Sequence, residues 1–166
     1  MKMDKKNKHS KQSDSFSSTT AMIGFVGGLF WGFIGYVAYL LNFVSFGPSF
    51  LLMPWALGTW KYTQTGQWIG ILFIGILSIG IAFIYRALFA KVNKFWPGLV
   101  YGGILWVLTF VLLYPLYEHA ENVVKFDVNS NVTSLSLFVL YGLFIGYSIS
   151  YEYHEQMLEN EQTIQE

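Results

Sequence analysis

Four windows of the chain contain no Asp, Glu, Lys or Arg: residues 15–60, 62–85, 95–117 and 128–151. Crossing the roughly 30 Å hydrocarbon layer of a bilayer takes about 20 helical residues. Each of the last three windows fits one crossing, and the first is about twice as long as one helix needs. The pattern predicts an all-α membrane protein: a four-helix transmembrane bundle, residues 21–151, with helices at about 21–44, 67–86, 97–117 and 133–151. The first helix ends where Asn42 and the Ser45–Ser49 stretch bring polar and turn-forming residues, and Pro48 cannot continue it. The apolar run after it, FLLMPWALGTW, is too short to return across the layer and is broken by Pro54. Residues 49–66 are therefore expected to form an interfacial or shallow re-entrant segment. Pro97 suits the first turn of the third helix, where its missing N–H is no loss.

The ends of the chain differ from its middle. Residues 1–20 are rich in Lys and Ser and show no apolar periodicity, so they are expected to be a disordered basic cytoplasmic tail. Residues 152–166 carry glutamates and are expected to be an acidic cytoplasmic tail. Orientation follows from Lys and Arg beside each span. With the N-terminus inside, Lys2, Lys5, Lys6, Lys8, Lys11, Arg86, Lys91 and Lys94 lie on the cytoplasmic side, against Lys61 and Lys125 outside. Both termini are thus expected in the cytoplasm.

Composition sharpens this reading. Charged residues are 12% of the 166, about half the share in a soluble domain, and aromatics reach 19%. The formal net charge is zero and there is no cysteine, which removes disulfides, thiolate nucleophiles and Cys-based metal sites. The Lys run lacks interleaved aromatics or Arg, so the partner expected is the lipid bilayer and not nucleic acid.

In lipid, apolar burial does not draw helices together; close backbone approach and dispersion must. Small residues recur at helical spacing: Gly24, Gly28, Gly32 and Gly35 on the first helix, Gly98 and Gly102 on the third, Gly142 and Gly146 on the fourth. These glycine-zipper stripes are the expected helix-packing positions. They are expected to face the bundle interior, with a second copy of the chain as the alternative.

Candidate chemistry is sparse. No ionisable side chain lies near the middle of a span, which argues against a proton-driven antiporter. Glu118, His119 and Glu121 cluster beyond the third helix as weak outer-loop candidates for a titrating or metal-binding site. Three ligands in a loop without a preorganised shell make a poor site, so no metal, no cofactor and no enzymatic activity are expected. Uncharged polar residues inside the spans, among them Asn42, Ser78, Tyr101, Thr109 and Ser148, suit hydrogen bonds between helices or the lining of a narrow path. Trp31 and Trp106 each need a partner for the indole N–H.

The ordered strings GFVGGLFWGFIGYVAYLLNF, PWALGTWK, LSIG, FWPGLVYGGILW, YPLY and YGLFIGYSISYEY resemble the YqhR family of Bacillus-type membrane proteins, over about residues 24–153. The resemblance implies a bacterial plasma-membrane protein and supplies no catalytic residue to carry over. The function expected is a non-enzymatic scaffold or assembly component. The alternative is a channel or facilitator for a small neutral or weakly polar solute.

Overall fold

The structure, a computed structural model, describes residues 2–52, 58–60, 63–92, 94–112 and 127–165. The described residues form four α-helices and no strand. Helix α1 spans Lys2–Leu40, α2 Gln64–Phe89, α3 Trp96–Val107 and α4 Val128–Gln165. A 3-10 turn, Pro48–Leu52, follows α1, and α3 passes into a π turn, Leu108–Leu112. Among the described residues three stretches are long and apolar enough to cross a membrane: Ser15–Leu40, Gln64–Phe89 and Val128–Leu158. The apolar part of α3, Trp96–Phe110, is shorter, and residues 113–117 of the predicted third span, with Pro115, lie outside the described residues.

The first helix begins at Lys2 and not near residue 21. Starting a helix is the costly step, and extending one already anchored adds a hydrogen bond for each residue fixed. The polar segment also carries side chains that pack: Phe16 and Thr20 are buried. Phe16 lies under the Arg86 guanidinium, 3.9 Å from ring centre to Cζ, and 5.9 Å from the Tyr153 ring. At the other end α1 stops at Leu40. Asn42 takes a left-handed φ of 60°, so that the Asn42 N–H donates to Tyr39 O at 3.0 Å and the Phe43 N–H to Ala38 O at 2.9 Å. Asn tolerates that conformation better than other non-glycine residues, because its short polar side chain bonds locally.

Neighbouring contacts set the directions. Gly24 lies against Ser78 and Ala82, and Gly28 against Gly75, so α1 and α2 are antiparallel. Gly98 lies against Gly142 and Gly102 against Phe138, so α3 and α4 are antiparallel. Helix α4 joins the two pairs: Phe144 and Ile145 meet Gly27 of α1, while Tyr141 and Gly146 meet Ser78 and Tyr85 of α2. The start of α1 and the end of α4 therefore lie at the same end of the molecule, with the α2–α3 connection. The densest core, built from Ala82, Tyr85, Tyr101, Ile145, Ile149 and Phe16, sits toward that end.

The stop after α1 yields a stability prediction. Asn42→Gly should leave the thermal midpoint in mild detergent unchanged or raised. Asn42→Val, a β-branched side chain at positive φ, should cost about 1–2 kcal/mol. Equal midpoints for the two variants would rule out this account of the helix end.

Candidate functional site: an apolar chamber between the helices

Away from the dense end the helices do not close up. They enclose a chamber of about 480 Å³ whose walls come from α1, α2, α4 and the π turn. Its roof is the chain after α1. Phe46 and Phe50 stand 5.3 Å apart and meet Phe110 at 5.2 and 6.2 Å between ring centres. Hydrogen bonds pin this roof on both sides. The Ser45 N–H donates to Ser130 Oγ at 2.9 Å, the two Ser hydroxyls are 2.9 Å apart, and the Ser49 N–H donates to Gln67 Oε1 at 3.1 Å. A Cβ on Gly70 would stand 2.6 Å from the Pro48 carbonyl oxygen, so only glycine lets the 3-10 turn lie this close to α2.

The floor is polar, and its hydroxyls other than that of Tyr85 are paired within the chain. Ser78 Oγ and Tyr141 OH share a hydrogen bond across α2 and α4. Below them the Tyr101 hydroxyl donates to Ile81 O at 2.7 Å, and the Tyr101 and Tyr85 rings meet edge to face at 5.1 Å. On the α4 wall, Trp106 Nε1 donates to Ser134 Oγ at 3.0 Å, and that hydroxyl donates to Asn131 O at 3.1 Å. These bonds use the hydroxyls on one another, as a buried polar group requires in a medium without water. Trp31 lines the chamber, and its Nε1 has no hydrogen-bond partner among the described residues.

Beyond the dense end, Arg86, the chain's single arginine, donates from Nη1 to Ser17 Oγ at 2.9 Å while its plane covers Phe16. The guanidinium thus joins the end of α2 to the start of the apolar part of α1. A cation over an aromatic face contributes about 0.5–2 kcal/mol, more as water is excluded.

The residues singled out by sequence fall into three groups. Gly24, Gly28, Gly98, Gly102, Gly142 and Gly146 stand where an added Cβ would meet another helix at 3.0 Å or less. Gly32 would make ordinary contact with Ile71 and Ile74, while Gly35 borders the chamber with nothing within 4 Å. Glu118, His119 and Glu121 lie outside the described residues. Among the described residues no three His, Asp or Glu side chains form a group that could hold a metal ion. Sequence reasoning missed the chamber, the Gln67 anchor of its roof and the Arg86–Phe16 contact. Phe16, an isolated aromatic in a polar stretch, is the one signal that could have revealed the last.

The family described as "Conserved membrane protein YqhR" matches residues 1–164. The protein from Bacillus subtilis (strain 168) titled "Uncharacterized protein YqhR" is 40% identical over 116 residues, which cover 70% of this chain and 65% of that protein. The matched stretch thus spans just under two thirds of its relative. No solved structure matches.

The floor can be tested as a coupled pair. Ser78→Ala and Tyr141→Phe should each lower stability in bicelles, and the double variant should fall short of their sum by about 0.6 kcal/mol, the average for such bonds. Strict additivity would show that the two hydroxyls do not act together.

Proposed function

Because the chain belongs to the YqhR family of conserved membrane proteins, we propose that it is a non-enzymatic, multi-pass component of the bacterial plasma membrane, acting as a scaffold for assembly with itself or another membrane protein. On this reading its four helices cross as one bundle. The observation that carries the proposal is how the polar groups between the helices are used. Ser78 with Tyr141, Tyr101 with the Ile81 carbonyl, Trp106 with Ser134, and Ser45 with Ser130 are all committed to contacts within the chain. Such a set fixes helix positions; a path for polar solutes instead needs groups free to exchange water for solute. Glycine-zipper contacts on α1, α3 and α4 support the same reading, because they hold backbones close without any moving charge.

The charge distribution supports an orientation with both termini in the cytoplasm. The start of α1, the α2–α3 connection and the end of α4 share one end of the molecule, and eight of the ten basic residues belong to that end. The positive-inside bias places such an end in the cytoplasm.

Two measurements test the proposal. With single cysteines introduced at Ser13, Thr59, Val92, Asn129 and Gln162, an impermeant thiol reagent applied to intact cells should modify only the Thr59 and Asn129 positions. Modification of the Ser13, Val92 or Gln162 positions would reverse or refute the topology. Crosslinking in native membranes should give one discrete larger species that survives several mild detergents, while proteoliposomes pass no more small neutral solute than empty vesicles. Solute flux without any discrete species would favour the facilitator and defeat the scaffold.

A further inference from the structure

The chamber carries an inference that goes beyond assembly: the geometry points to a binding site for one hydrocarbon chain, the acyl chain of a membrane lipid or fatty acid, entering sideways between α2 and α3. Three observations lead there. The first is size. An apolar cavity of about 150 Å³ stays dry and takes one benzene. At about 480 Å³ this chamber is roughly three times larger, which corresponds to a chain on the order of eighteen carbons.

The second is chemistry. The lining is aliphatic and aromatic, with Ile74, Leu77, Ile84, Leu137 and Phe138 among its residues. Three of its four hydroxyls are engaged: Ser78 and Tyr141 are bonded to each other and Ser134 is bonded to Trp106 and Asn131, while Thr109 is the fourth and the Trp31 N–H has no partner among the described residues. A polar solute entering here would lose its water and find most of these groups already engaged, at a cost of several kcal/mol for each unmatched group. A hydrocarbon chain loses nothing of that kind, and it gains the dispersion contacts that an empty cavity forgoes.

The third is access. The Phe46, Phe50 and Phe110 rings close one end, and the Ser78–Tyr141 bond and the Tyr85–Tyr101 contact close the other. Helices α2 and α3 touch through the Tyr101 side chain, which meets Ile81, Tyr85 and Phe89. Leu77 and Ile84 line the chamber yet are 43% and 54% exposed, so the wall between these helices is open to the side. Gly80 sits in that opening with nothing within 4 Å of where its Cβ would be. Further along the chamber, at its Phe46–Phe50 end, α3 widens to π geometry at Leu108–Leu112, and Thr109 and Phe110 of that turn line the chamber. Isolated π turns occur often at functional sites, where they bend a helix away from regular packing. In a bilayer an opening on the side of a helix pair faces acyl chains, not water.

The test uses the full chain reconstituted in bilayers of phosphatidylglycerol and phosphatidylethanolamine. In one arm it is photolysed with a fatty acid of about sixteen carbons carrying a diazirine near its methyl end, a length within the chamber's capacity. In the other arm, phosphatidylglycerol bears the same chain. Mass spectrometry of the peptides should place adducts on the interior wall at Ile74, Leu137 or Phe138. Adducts there in the free-acid arm alone identify a fatty acid as occupant, and adducts in the lipid arm identify a phospholipid tail. Gly80→Trp, which fills the opening, should reduce interior labelling about tenfold, since denying burial to even two methylenes costs that factor in affinity. Gly103→Trp, equally open but outside the chamber, should leave it unchanged. Adducts confined to outward residues such as Met22, Val26 and Leu88 in the unsubstituted protein would overturn the proposal whether or not the variants fold. Undiminished interior labelling in Gly80→Trp would overturn it as well.

Discussion

Backbone meeting backbone at Gly98, Gly102 and Gly142 is the contact on which the rest of the structure depends. A Cβ on Gly142 would lie 2.5 Å from the Cα of Gly102 and 2.5 Å from the carbonyl oxygen of Gly98. Real side chains never approach so closely, so the pairing of α3 and α4 exists only because both surfaces are bare. In lipid the hydrophobic effect supplies no net attraction between helices, and dispersion between closely spaced backbones takes its place. Gly24 and Gly28 do the same for α1 and α2, against Ser78, Ala82 and Gly75.

Close approach has a geometric consequence. Where glycine brings the axes together, the large residues on either side must fill what remains, and they do so unevenly. Toward the Arg86 end, Tyr85, Tyr101, Ile145 and Ile149 fill the centre. Toward the Pro48 end, Gly35 leaves space, and the chain after α1 folds over it as a lid of phenylalanines. The same residue type thus makes both the tight contacts and the cavity; the neighbour it faces decides which. Hydrogen bonds hold the boundary, with Ser45 to Ser130 and Ser49 to Gln67 above and Ser78 to Tyr141 below.

The four helices of the described residues were legible in the charge-free windows, because a long apolar run can satisfy its backbone in lipid as a helix. The family was legible in the order of its aromatic and glycine strings. The helical start at Lys2 was not: hydropathy registers what is apolar, and residues 2–14 are held by continuity with an anchored helix. The stop after α1 was legible to within a few residues, at Asn42, but not the left-handed conformation by which Asn42 makes it. Gln67 read as the polar first residue of a span, yet it is buried and accepts from the Ser49 N–H. The chamber was the least visible feature of all. It is a volume bounded by five segments, α1, the chain after it, α2, the π turn and α4, and Gly35, expected as a packing position, borders it. Spacing along one helix reports which face is small, not what stands opposite.

The most direct test of this account compares alanine at Gly102 and Gly142 with alanine at Gly80 and Gly103, by reversible unfolding in bicelles. The first pair should each lose about 1–3 kcal/mol, as forced overpacking does, and the second pair should be unchanged or gain about 0.5–1 kcal/mol from the better helix former. Equal effects at all four positions would contradict the claim that close backbone contact, and not general helix preference, holds these helices together.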